Sequence, residues 1–178
     1  AVKDLKVRRI ISSKMEHHAV LYPILEWQKE FGIQVEYVEN SADGVLDLTH
    51  LVDLLSESTE KTLVSLMHVN NETGVILDLE RVSQICQEHH ALFHSDTVQS
   101  VGKAILDLQK VPIDFIVSSA HKFHGPKGVG FAFIRKNSGL QPLFFGGEQE
   151  KGLRSGTEAI HQIAGMAKAL EVSYANLE

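Results

Sequence analysis

The 178 residues suffice for one ordinary domain with a substantial core, and length favours one domain over two. A formal net charge of -6 excludes a general nucleic-acid or anionic-membrane surface, since no basic field exists to neutralise phosphates, although a local basic pocket is compatible with it. The single cysteine, Cys86, cannot form an internal disulfide, and no apolar stretch approaches the roughly 20 residues of a membrane span, so the expectation is a soluble protein of a reducing compartment such as the cytoplasm.

The first strand is expected in "VRRIISS". A helix follows in "AVLYPILEWQKEFG", where Leu21, Ile24, Leu25 and Gln28 trace one face and Gly32 supplies the stop. Next come a strand, "IQVEYVE", the turn "NSADG", and a helix through "LTHLVDLLSE" opening near Asp47 or Thr49. A buried strand, "TLVSLMHV", a helix, "LERVSQICQEHH", and a strand, "ALFHSD", repeat the rhythm, and "DFIVSSA" follows after a loop. Such alternation predicts an α/β fold: a mostly parallel sheet with helices on both faces.

After Gly125 the rhythm changes. "GVGFAFIRK" follows its predecessor across a glycine-rich turn too short for a helical crossover, so it reads as an antiparallel strand or as one placed at a distance. The run "LQPLFFGGEQEKGLRSGTEA" is loop-like and leads into a last helix at about Thr157, with Ile163, Met166, Ala167 and Leu170 on its apolar face. The chain enters its first strand almost at once and ends inside a helical pattern, which reads as a piece of a longer polypeptide.

Three strands run into polar clusters. One ends at Asn70, Asn71 and Glu72, the next at Ser95, Asp96 and Gln99, the third at Ser119, His121 and Lys122. Ligands of open parallel sheets sit outside the carboxyl ends of the strands, so these clusters are expected to converge on one crevice. Taken alone, Lys122 is a solvated loop lysine and Asp96 the N-cap of a following helix. Together they describe another chemistry: a desolvated amine for Schiff-base formation, a carboxylate to hold a pyridinium nitrogen protonated, and hydroxyl, imidazole and amide donors for a phosphate. That is a pyridoxal phosphate site.

Two other readings carry less. "HGPKGVG" lacks the G-x-x-x-x-G-K-[ST] spacing of a nucleotide loop. In "EHHALFHSD" the adjacent His89 and His90 diverge on a helix, which leaves only His94 and Asp96 on one strand face for a metal; the expectation is no metal site.

"EHHAVL", "HVNNETGVI", "HSDTVQSVGK", "SSAHKFHGPKGVGFAFIRK" and "GGEQEKGLRSGT", in that order, resemble the cysteine desulfurases of the NifS/IscS-like branch, within the class V aminotransferase group of fold type I pyridoxal phosphate enzymes. The likeness is collinear from about Val7 to Gln162. It implies that Lys122 bonds the cofactor and later moves protons at the substrate carbon, that Asp96 binds the pyridine nitrogen, and that Gln99 bonds the phenolic oxygen. Asn71 would lie beside that oxygen and the substrate carboxylate, and Ser119 and His121 at the phosphate. His17 would stack on the ring and assist proton transfer; without the other motifs it would read as a surface histidine at a helix N-terminus. Thr157 would reach the phosphate of a neighbouring subunit's cofactor, which implies a homodimer.

The implied reaction takes sulfur from L-cysteine, giving L-alanine and a persulfide on an enzyme cysteine, for delivery to a sulfur-acceptor or iron-sulfur scaffold protein. The family's acceptor cysteine, substrate-binding arginine and N-terminal phosphate loop have no counterpart here. Residues 1–178 thus read as most of the large cofactor-binding domain, lacking that loop and the C-terminal small domain, and inactive alone. Cys86, on the apolar side of its helix with Val82 and Ile85, reads as core. The alternatives are a selenocysteine lyase or another class V enzyme, a non-catalytic scaffold that binds sulfur-acceptor proteins, and, weakest, a metal-dependent hydrolase using His94 and Asp96.

Overall fold

The computed structural model describes residues 1–177. Among them six strands form a single sheet: β1 (Arg9–Ser12), β2 (Gln34–Tyr37), β3 (Thr62–Ser65), β4 (Leu92–Asp96), β5 (Phe115–Ser119) and β6 (Gly130–Ile134), in the order β2-β1-β3-β4-β5-β6. The first five are mutually parallel, and β6 runs antiparallel to β5. The short turn after Gly125 thus returns the chain beside its predecessor rather than at a distance.

Four α-helices accompany the sheet: α1 (His18–Phe31), α2 (Leu48–Ser56), α3 (Leu79–Glu88) and α4 (Ile160–Ala175). They cover both faces because neighbouring strand residues point to opposite sides. Ile11, Val64 and Phe93 pack with Leu51, Leu54 and Leu55 of α2 and Val82, Ile85 and Cys86 of α3. Ile10, Leu63 and Phe115 pack on the other side with Ile24 of α1. None of the described helices is long and apolar enough to cross a membrane.

Local chemistry sets the helix ends. Asp47 caps α2, its carboxylate accepting the amides of Thr49 and His50 at 2.8 and 3.2 Å, which decides between the two expected starts. Asp78 does the same for α3 through the Arg81 amide at 2.9 Å. Gly32 closes α1 at φ 62°, a left-handed conformation that glycine adopts without a Cβ clash.

Tertiary packing alters other expectations. On α1 only Ile24 is fully buried; Leu25 and Gln28 are exposed, because the helix touches the sheet through a narrow strip near Val20, Ile24 and Phe31. The run "TLVSLMHV" is strand only to Ser65, although the Leu66 and His68 amides still donate to the His94 and Asp96 carbonyls at 3.2 and 3.0 Å before Val69 bridges to Ile76. Helix α4 begins at Ile160 rather than Thr157, and Met166, Ala169 and Leu170, not the exposed Ala167, meet the core.

Candidate functional site

The strand order reverses between β1 and β3: the chain leaves β1 for β2 on one side and returns to β3 on the other. That switch point opens a crevice at the carboxyl ends of the strands, because the following loops diverge there. A cleft of about 350 Å³ occupies this edge, lined by His17, Ala19, Met67, Asn71, Asp96, Val98, Gln99, Ser119, His121 and Lys122. Seven of the eight sequence-predicted residues therefore share one cavity, contributed by the segments after β1, β3, β4 and β5. The eighth, Thr157, is exposed before α4 and does not line the cleft of its own chain.

Asp96 is the last residue of β4 and is 6% exposed. Its Oδ1 accepts the Val98 amide at 2.9 Å, the one hydrogen bond its carboxylate receives among the described residues. Burial raises its pKa above the ordinary carboxylate value, against the lowering effects of that amide and of nearby His17. A cationic ring nitrogen against this carboxylate would meet its unmet charge. His17 caps α1, and its Nδ1 accepts the Ala19 amide at 3.1 Å, so the neutral ring carries its proton on Nε2. The helix-terminal and cleft-lining readings of His17 thus describe one residue in two roles.

Lys122 lies in a 3₁₀ turn, Ala120–Phe123, that leaves the end of β5. Its neighbour Phe123 anchors the turn: the ring is 1% exposed among Val101, Ala120 and the α4 residues Met166, Ala169 and Leu170. The fit is close at Gly102, where φ is 77° and a Cβ would come within 2.7 Å of the Phe123 Cβ. Ser173 of α4 also donates to the Phe123 carbonyl at 3.3 Å. Lys122 therefore enters the cleft from a rigid support. Ser119 Oγ and His121 Nδ1 lie 2.9 Å apart at its mouth, and Gln99 accepts a 3.4 Å bond from Lys103. Asn71 donates to Glu72 Oε1 at 2.6 Å.

The donor set suits pyridoxal phosphate: an amine, a buried carboxylate short of a cation, an imidazole at the rim and a hydroxyl–imidazole pair for an anion. It does not suit a metal-dependent hydrolase. His94 is turned into the sheet with Nδ1 2.9 Å from Ser65 Oγ, and burial pushes its pKa down to about 4. Cys86 is 1% exposed, and burial, with a smaller effect of Asp114, pushes its thiol up to about 12, so it packs the core and is not a nucleophile.

Sequence reasoning missed Met67, Ala19 and Val98 in the lining, and Glu16 just beneath it. The signal for Glu16 was its place before His17 in "EHHAV", at a strand's carboxyl end.

The family model for aminotransferase class-V matches residues 4–178. The cysteine desulfurase IscS of Photobacterium profundum is 41% identical over 175 residues, which are 97% of this chain and 43% of that protein. Among solved structures, a NifS-like protein superposes with a TM-score of 0.90 at 40% identity, over 98% of this chain and 49% of that one. SspA in complex with cysteine superposes at 0.88 with 34% identity, over 96% of this chain and 49% of that one. The chain spans less than half the length of these relatives. Its fold, its cleft and these likenesses together show that it belongs to the class V aminotransferase family of fold type I pyridoxal phosphate-dependent enzymes.

Proposed function

We propose that the protein is a cysteine desulfurase that converts L-cysteine to L-alanine and passes the sulfur, through an enzyme persulfide, to an acceptor protein, with this chain supplying its cofactor-binding domain. The observation that carries the reading is the convergence of Lys122, Asp96 and His17 on one cleft at the switch point of the sheet. The likeness to IscS of P. profundum and to SspA, solved in complex with cysteine, supports the substrate.

Bound pyridoxal phosphate supplies an electron sink for charge developing at the substrate carbon. Asp96, ionised, would keep the ring nitrogen protonated. Lys122 would hold the cofactor covalently and then move a proton at the substrate α-carbon, while His17 would cover the ring face and present its Nε2 proton. Gln99 and Asn71 would bond the phenolic oxygen and its surroundings, and Ser119 and His121 would take the phosphate. The sulfur atom passes from the substrate thiol to an enzyme thiolate, and the substrate carbon it leaves takes up a proton. Cys86 is unsuited to that role, so the acceptor thiol belongs to another segment. Thr157 would serve a second copy's cofactor; its exposure outside its own chain's cleft, together with the exposed Leu143, Phe144 and Phe145, supports a homodimer.

In the full-length protein, Lys122→Ala should abolish both the visible absorption band formed with pyridoxal phosphate and the release of sulfide from L-cysteine under thiol reductant. Survival of both would refute the assignment. Faster turnover of selenocysteine than cysteine would move the substrate reading to a selenocysteine lyase.

A further inference from the structure

Two buried polar side chains under the cleft have no part in the roles above. Glu16 is 4% exposed, and its Oε1 accepts the Met67 amide at 2.7 Å across 51 residues of sequence. Its Oε2 is buried without a partner among the described residues. Asn70 is 8% exposed, and its Nδ2 donates to the Met15 carbonyl at 2.8 Å across 55 residues. Its Oδ1 accepts the amides of Glu72 and Thr73, each at 2.9 Å. In both long-range bonds the segment after β3 donates and the segment after β1 accepts, a side chain reaching to backbone once from each side, so together they lock the loop after β1 onto the loop after β3.

Each tie lies one residue from a cleft residue: Glu16 precedes His17, and Asn70 precedes Asn71. The β1–β3 ladder ends at Ile11 and Val64, with Ser12 Oγ donating to the Ser65 carbonyl at 3.0 Å, so among the described residues no strand or helix pairing joins these two loops beyond it. A buried carboxyl with one unpartnered oxygen is also a poor choice for stability alone. The groups around it are the Met67 amide, Asp96 and Ser13, and burial raises the Glu16 pKa to about 8, so it holds its place as a neutral acceptor.

We propose that Glu16 and Asn70 are a positioning pair that sets His17 and Asn71 at the rim of the cofactor cleft by tying the Met15–His17 and Met67–Asn71 segments together. The proposal rests on the cofactor reading above for its consequence, but its geometry can be tested without cofactor. Glu16→Gln keeps the acceptor; Glu16→Met keeps the length and removes it. Asn70→Asp keeps the acceptor for the two turn amides and removes the donor to Met15.

The test uses the full-length protein, with the His17 imidazole followed by nuclear magnetic resonance in the apoprotein and assigned with His17→Gln. The second readout is a titration with pyridoxal phosphate, giving its dissociation constant and the position of the bound band. Glu16→Gln should leave the His17 signals in place and affinity within about threefold. Glu16→Met and Asn70→Asp should each displace those signals, shift the bound band and weaken cofactor binding about tenfold, with unchanged far-ultraviolet circular dichroism. Native His17 signals and affinity in Glu16→Met would overturn the proposal. Should that variant not fold, native signals in Asn70→Asp overturn it instead, and displaced signals support it. If even the unsubstituted protein fails to bind pyridoxal phosphate, the cofactor reading falls, and the apoprotein signals alone decide the positioning role.

Discussion

Glu16 should make the folded protein lose stability as the pH rises through neutrality. Its pKa stands at about 8 in the fold against an ordinary 4.5, so between those values the folded state holds a proton that the unfolded chain has released. Stability is therefore fully present below the unfolded value and is lost as the pH rises through the folded one, at about 1.4 kcal/mol per pH unit. His94 has the opposite sign. Its pKa falls from 6.5 to about 4, so its contribution is present above 6.5 and lost on acidification. Half-buried His68, also lowered by burial, acts in the same direction as His94, and Asp96, raised by burial, in the same direction as Glu16.

The Glu16 and His94 slopes nearly cancel from pH 4.5 to 6.5. From 6.5 to 8 the Glu16 slope is opposed by the Ala1 amine, whose pKa burial lowers from 8.0, so at most about 2 kcal/mol should disappear. Urea denaturation followed by circular dichroism at the two ends of that window measures it, and Glu16→Gln, which cannot ionise, should flatten the profile. An equal slope in Glu16→Gln, or no slope in the unsubstituted protein, would refute the reasoning.

Other substitutions separate the site from its supports. Gly130→Ala places a Cβ 2.4 Å from the Ser118 carbonyl oxygen, so it should destabilise by about 1–3 kcal/mol and, by shifting β5, weaken cofactor binding through Ser119 and Lys122, as calorimetry and titration would show. Asp47→Ala removes the α2 cap for about 1 kcal/mol with cofactor affinity unchanged, because the cap is remote from the cleft; a loss of affinity would contradict this. Cys86 should alkylate at pH 8 roughly a thousandfold more slowly than a free thiol, since so little of it is thiolate, and mass spectrometry of the labelled peptide would check this.

Much of the site was legible because it sits where local rules operate. Alternation of apolar residues and the polar run that ends it place Asp96 and Lys122 at strand termini, and the geometry of parallel sheets puts strand termini at the ligand edge. Gly32 announces a helix end by local chemistry alone, and Cys86 its burial by helical spacing. The glycine-rich turn after Gly125 excludes a helical crossover from its length.

Other features depend on contacts between residues far apart in the chain, which no local pattern encodes. Periodicity shows that α1 has an apolar face but not how much of it the sheet covers, and only Ile24 is fully buried. An apolar run to Val69 reads as one strand, yet the regular strand ends at Ser65, and Glu16, 51 residues earlier, takes the Met67 amide. The burial of Glu16 arises only when the loops after β1 and β3 meet. The strand order that brings those loops together, and so decides which polar ends share a cleft, is a property of the packed sheet.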